Sequence, residues 1–169
     1  TAIQGLTAAE LAFQGGLSYA KERLAMRALS GAKAPEQVAD PIIVHPAVRN
    51  MVLTCKAFAE GGRALVYYLS QFSDVVTKGE GESQAYADQM LSFLTPIAKA
   101  FLTETSYEAA NHGMQVFGGH GYIKEWGMEQ IVRDSRISTL YEGTTGVQAL
   151  DLIGRKVLLT SKGKVIRDY

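Results

Sequence analysis

The chain has 169 residues, 47% of them hydrophobic and 20% charged, the balance of an ordinary globular domain with room for one real core. Lys and Arg total 17 and Asp and Glu total 17, so there is no general electrostatic reason to expect nucleic acid or an acidic membrane surface as a partner. The single cysteine, Cys55, excludes an internal disulfide. No His or Cys spacing matches a metal motif, and no apolar run reaches transmembrane length.

Ile3, Leu6, Phe13, Leu17, Ala20 and Leu24 recur at helical steps and predict an amphipathic helix over about 2–30, with Gly5, Gly15 and Gly16 allowing close backbone approach. "SGAKAPEQVADPIIVHP" reads as a loop with extended stretches, because its prolines disfavour helix before them. Pro46 suits the first turn of a second helix running to about Thr77. Its buried stripe is Val48, Val52, Cys55, Ala59, Gly62, Leu65, Leu69, Phe72 and Val76, which makes Cys55 a buried thiol. "KGEGES" breaks it. A third helix covers about 84–117, with Leu91, Leu94, Ile97 or Ala98, Phe101, Thr105, Ala109, His112 and Val116 on one stripe. Pro96 either bends it or marks a fresh start, and Gly118 and Gly119 end it. A short helix covers Met128 to Ser135. The last runs from about Thr144 to Leu158, with Val147, Leu150, Ile153 and Val157 as its face. The expected fold class is all-α, an antiparallel four-helix bundle.

Several residues could carry chemistry. "HGMQVFGGHGY" at 112–122 is either a helix stop or a glycine loop whose amides hold a phosphate. Its glycines follow no strand and fit neither a Rossmann nor a Walker loop. Of the three histidines, His45 lies in a loop, His112 on a helix face, and His120 near a plausible cavity. Glu142 in "YEGTTG" is either a loop charge or a general base held against apolar neighbours. Gly143 permits an unusual backbone angle, and Thr144 or Thr145 can cap the next helix. Arg23 and Arg27 form either a solvated helix edge or a phosphate fork. Arg133, Asp134 and Arg136 suit a salt-bridge network between helices.

Together these stretches resemble the C-terminal helical domain of the acyl-CoA dehydrogenase family. The likeness runs almost the full chain and is strongest over 115–158. There a Q-x-x-G-G-x-G-aromatic stretch, an R-D-x-x-I stretch and a Y-E-G-T stretch follow in order. The wording "SGAKAPEQVADPIIVHPAVRNMVL" is similar to the long subfamily with an extra C-terminal region, including members acting on methylthiopropionyl-CoA. The resemblance implies that residues 1–169 are a C-terminal bundle domain of a longer protein, with an N-terminal helical domain and a middle β domain elsewhere.

It further implies FAD-dependent α,β-dehydrogenation of an acyl-CoA thioester to a trans-2-enoyl-CoA. Electrons would pass to an electron-transfer flavoprotein. Glu142 would be the catalytic base. Arg23 would reach the FAD pyrophosphate, Gln115, Gly118 and Gly119 the adenosine half, and Thr144 the flavin cofactor. No metal is implied. Arg23 is expected on an exposed helix face and Gln115–Gly119 on a separate patch, joined by FAD only across a subunit interface. Glu142 is expected to point into an open cavity. A cytoplasmic homodimer or homotetramer in fatty acid metabolism is the implied setting. "RLAMRALSG" lacks the family's aromatic after the first-helix arginine, and Gly146 stands where many members have a polar residue. The alternatives are an acyl-CoA oxidase and a non-catalytic assembly or DNA-associated relative, the latter unsupported by the balanced charge.

Overall fold

A computed structural model describes residues 1–169. The chain is all-α, with one isolated backbone bridge between Leu24 and Pro41 and no sheet. Three long helices form the body: α1 Ala2–Glu22, α2 Pro46–Lys78 and α3 Gly81–Val116. Shorter ones follow: α4 Met128–Arg136, α5 Thr145–Leu150 and α6 Lys164–Asp168. Between α5 and α6 the chain continues as a π-helix over Asp151–Thr160.

Small side chains let the long helices approach closely. Ala9, Ala12, Cys55, Ala59 and Ala109 form one buried cluster where α1, α2 and α3 meet. Consecutive helices run antiparallel. Glu10 of α1 pairs with Arg63 of α2 at 2.6 Å, and Lys56 lies over the Phe13 ring. α3 runs alongside α1 in the same direction, with Gly5 against Leu102 and Gly16 against Gly113 and Val116. At the far end Met90, Phe93 and Leu94 of α3 meet Val157 and Val165 of the last segments. Cys55 donates from its Sγ to the Ala109 carbonyl, and burial pushes its thiol up to about 11, so it stays protonated and inert.

The structure changes four expectations. First, α1 ends at Glu22 rather than near 30, because residues 24–41 find other backbone partners. Asp40, 0% exposed, accepts the N–H groups of Ala28, Lys33 and Ala34 and the Arg27 guanidinium. A carboxylate that collects backbone donors competes directly with helical pairing. Second, Pro96 does not mark a fresh start, because α3 runs on through it as one helix. Proline has no N–H for the Ser92 carbonyl, and the Lys156 amine donates to that carbonyl instead. Third, the stripe of α3 is misjudged at Phe101, which is exposed. The buried seam runs through Met90, Leu94, Ala98, Leu102, Ala109 and Val116. Fourth, the last helix is not one α-helix over 144–158. Of its predicted face only Val157 is buried, while Val147, Leu150 and Ile153 are about half to three-quarters exposed at 52%, 73% and 51%.

The Asp40 network predicts an acid response. The Ala28 N–H first, then those of Ala34 and Lys33 and the Arg27 guanidinium, hold its carboxyl far below the usual range despite its burial. A depressed pKa contributes stability that is fully present above the unfolded value, about 4, and is lost as pH falls from there towards the folded value. Thermal unfolding from pH 6 to pH 2.5 therefore finds Asp40→Asn less stable than the parent at pH 6, with the gap narrowing below about pH 4. A gap that is constant with pH would contradict this account.

Candidate active site

The predicted site residues fall into two places. The first is a hollow of about 410 Å³ lined by Tyr19, Arg23, Gln115, Gly118, Gly119 and His120, among others. Arg23 caps α1 with an extended backbone, so its side chain leaves the end of the helix rather than its flank. It is exposed and has no ion-pair partner. Arg27, four residues on, is occupied by Asp40 and by the carbonyls of Ala34 and Gln37. Of the two arginines, only Arg23 is available to a ligand.

The opposite wall is the end of α3. Gly118 has φ +57°, and a Cβ added at Gly118 or Gly119 would meet nothing within 4 Å. These glycines therefore leave backbone open to a ligand rather than serving a close helix contact. Aromatic packing fixes the rim. Tyr19 stacks on Phe117 at 4.0 Å, its hydroxyl lies 2.8 Å from His120 Nδ1, and His120 stacks on Trp126 at 4.9 Å. A free guanidinium facing exposed glycine backbone is a fit surface for a phosphate-bearing group. Arg23 and Gln115–Gly119 were expected on separate patches. They share one hollow within a single chain, because α1 and α3 run parallel and end side by side.

The second place is the loop before α5. Glu142 has φ +53° and Gly143 φ +92°. Two consecutive left-handed residues, the first carrying a side chain, are uncommon and need support from their surroundings. That support is visible. The Lys99 amine donates to the Gly143 carbonyl at 2.5 Å. The Gln148 amide donates to the carbonyls of Glu142 and Gly143, at 3.3 Å each. Thr144 caps α5 by accepting the Val147 N–H at 3.4 Å.

The Glu142 carboxylate accepts the Thr1 hydroxyl, and the neighbouring Tyr141 hydroxyl donates to Gln4. Thr1 and Gln4 also line a hollow of about 330 Å³ between α1 and α4, with Ile3, Leu11, Ile131 and Ile137 as apolar walls. Glu142 does not line that hollow. It is an exposed side chain one hydrogen bond from the mouth, not the cavity-facing group expected. Thr144 is apart from Arg23 too. With Thr145, Glu104, Tyr107 and Arg136 it lines a further hollow of about 330 Å³.

The remaining candidates have structural partners. His45 Nε2 lies 2.9 Å from the Ala25 carbonyl, and His112 faces Glu108 at 3.7 Å. Arg133 pairs with Glu129 within α4, and Arg136 lies over the Tyr107 ring. The expected inter-helix salt-bridge network is thus one ion pair inside a helix and one cation–π contact. No three His, Cys, Asp or Glu side chains cluster as metal ligands would. Sequence reading missed Lys99. Its signal was present: a lysine inside "TPIAKAF", on a helix otherwise apolar there.

Comparison with known proteins finds relatives along nearly the whole chain. The family described as "Acyl-CoA dehydrogenase, C-terminal domain" matches residues 1–158. The chain is 47% identical over 156 residues to the 3-methylmercaptopropionyl-CoA dehydrogenase of Ruegeria pomeroyi, covering 92% of this chain and 26% of that protein. It is 32% identical over 173 residues to a butyryl-CoA dehydrogenase of Syntrophomonas wolfei, covering 100% and 27%. Its fold matches that of an acyl-CoA dehydrogenase from Bacillus anthracis, solved with FAD, at a TM-score of 0.75 and 22% identity over 95% of this chain and 27% of that one. The chain thus spans about a quarter of the length of these relatives.

Proposed function

The chain belongs to the acyl-CoA dehydrogenase family, as its C-terminal domain, and from that premise we propose that it serves FAD-dependent α,β-dehydrogenation of an acyl-CoA thioester within a longer protein. The observation that carries the reading is the Glu142 carboxylate, presented by a pinned left-handed turn and hydrogen-bonded to Thr1, which lines an apolar hollow.

In this reading the acyl chain enters the hollow beside Ile3, Leu11, Ile131 and Ile137. Glu142 takes the α-proton, and the bond pair left behind becomes the new carbon–carbon double bond. When bound, FAD supplies the acceptor for the β-hydrogen, which leaves as hydride. In the same reading the Glu142 backbone N–H would polarise the thioester carbonyl, which makes the α-proton more acidic. Glu142 is exposed on this chain, so water would be excluded by the other domains of the longer protein. The relatives' names support an acyl-CoA substrate. An electron-transfer flavoprotein as electron acceptor, and assembly as a homodimer or homotetramer, complete the proposal. The exposed Val147, Leu150 and Ile153 support that assembly with apolar surface.

Arg23, Gln115, Gly118 and Gly119 are the residues proposed to hold the phosphate and adenosine end of FAD, and Thr144 a further part of it. The free Arg23 guanidinium gives a direct check. Arg23→Ala raises the dissociation constant for FAD by about 10- to 100-fold, the worth of a charge-assisted hydrogen bond. Equilibrium dialysis against FAD reads it, and unchanged affinity would remove Arg23 from the site.

The function itself is tested on the full-length protein carrying this domain, loaded with FAD and free of oxygen. Acyl-CoAs from four to twelve carbons and 3-methylthiopropionyl-CoA are added in turn, and the oxidised flavin band is followed. At least one should bleach it with formation of the enoyl product. A protein that holds FAD and is bleached by none of them is not an acyl-CoA dehydrogenase of this substrate range.

A further inference from the structure

We infer that Lys99 is a positioning residue for Glu142, acting through the backbone of the turn that carries it, with Gln148 as its second clamp. The inference rests on the reading of Glu142 as the base. Lys99 lies on α3, 44 residues before Gly143 in sequence, and is 6% exposed. No carboxylate pairs with it. Burying an unpaired amine is unfavourable, and an apolar side chain would fill the same space without that cost. What the lysine adds is its contact: the amine donates to the Gly143 carbonyl at 2.5 Å.

That carbonyl belongs to the Gly143–Thr144 peptide, one peptide beyond Glu142 and at the end of the same turn. Both residues of the turn have positive φ, +53° and +92°, and for Glu142 this backbone is disfavoured. Left to itself the peptide would relax and swing the carboxylate away. Lys99 holds it from the core side. Gln148 holds it from the α5 side, through the same Gly143 carbonyl and that of Glu142. A Cβ at Gly143 would come within 2.5 Å of Gln148 Nε2, so the glycine is what lets this second clamp close. Catalysis by a positioned base is sensitive to placement, and an error of about 1 Å can lower a rate by about 100-fold.

The experiment uses the FAD-loaded full-length protein, compared as parent, Lys99→Met, Lys99→Arg, Gln148→Met and Glu142→Gln. Anaerobic bleaching at increasing concentrations of the best acyl-CoA gives a limiting rate and a half-saturating concentration. Hydrogen exchange of the 141–147 amides gives a second readout that needs no turnover. Lys99→Met should lower the limiting rate by about 10- to 100-fold, with the half-saturating concentration little changed. It should also speed exchange in the turn. Lys99→Arg keeps a cationic donor and should restore most of the rate. A lysine needed only for stability would lower the melting temperature and leave the limiting rate of the folded, loaded protein unchanged, which overturns the inference. Should Lys99→Met fail to fold, Gln148→Met decides, since its half-buried side chain is released without touching the core. An unchanged rate and unchanged exchange in that variant overturn the clamp. If Glu142→Gln also bleaches at the parental rate, the base assignment itself has failed, and the inference falls with it. If Glu142→Gln is slow while Lys99→Met and Gln148→Met both bleach at the parental rate, the base assignment stands and the clamp inference is overturned.

Discussion

Glu142→Gln lowers the rate at which saturating acyl-CoA bleaches the bound flavin by about 10²–10⁴-fold, the usual worth of a positioned general base. The substitution keeps the shape of the side chain and an oxygen that can still accept the Thr1 hydroxyl. It removes only the basic oxygen that would take the α-proton. The backbone at φ +53° treats Glu and Gln alike, so the turn, its Lys99 and Gln148 clamps and the Thr144 cap all persist. FAD content should therefore match the parent, because the substitution alters neither the hollow with Arg23, Gln115 and Gly119 nor the Thr144 side chain. Stopped-flow absorbance of the oxidised flavin band makes the measurement. A variant that bleaches like the parent would place the base on another residue. One that loses its flavin would make Glu142 structural.

The largest effect on stability is expected at Gly5. A Cβ there would sit 2.4 Å from the Leu102 carbonyl oxygen and 2.7 Å from its carbonyl carbon. Both are backbone atoms of α3, so no side-chain rotation relieves the clash and the two helices must separate. Gly5→Ala should cost about 3 kcal/mol, the upper part of the range for overpacking, even though alanine favours helix over glycine by about 1 kcal/mol. The melting temperature should fall by roughly 2–4 °C per kcal/mol. Gly61→Ala is the matched control. It is exposed in the middle of α2 with nothing near its Cβ position. There the propensity acts alone, and the same change should raise stability by up to about 1 kcal/mol. Thermal denaturation of both variants checks the sign as well as the size. Equal effects at the two positions would mean that the α1–α3 approach is not what Gly5 secures.

Much of the fold was legible because helical periodicity records burial directly. The stripe from Val52 through Gly62 is buried as the spacing of α2 implies. Pro46 opens α2, and α4 runs one residue beyond its expected end. Periodicity failed where it met competing partners. Leu24 continued the rhythm of α1, but the chain had already left the helix, because the Ala25 N–H pairs with the Asp40 carbonyl and the Asp40 carboxylate takes up the N–H groups of Ala28, Lys33 and Ala34. Phe101 fitted a stripe on paper, yet α3 is packed on more than one side and its seam lies along other positions.

For the site, residue types carried the information and positions did not. Glu142, Gly143 and Thr144 are a chemically suggestive run in any order of events, because a carboxylate, a glycine and a helix cap each have local physics. Arg23 and the Gln115–Gly119 stretch could be named, but not placed together. Their meeting depends on α1 and α3 ending side by side, a result of packing through Gly16, Gly113 and Val116. Lys99 and Gly143 are separated by 44 residues, and no local rule links them.

The sequence by itself determined that this chain is helical and where α2 and α3 lie, and it offered Glu142, Arg23 and Arg27 as candidates. Those are properties of spacing and residue chemistry, which act over a few turns of chain. Only the tertiary structure decided which residues share a hollow, which arginine is left free, and what holds the Glu142 turn in a backbone conformation it would not adopt alone. Those outcomes depend on contacts between distant segments, set by how small residues let α1, α2 and α3 close on one another.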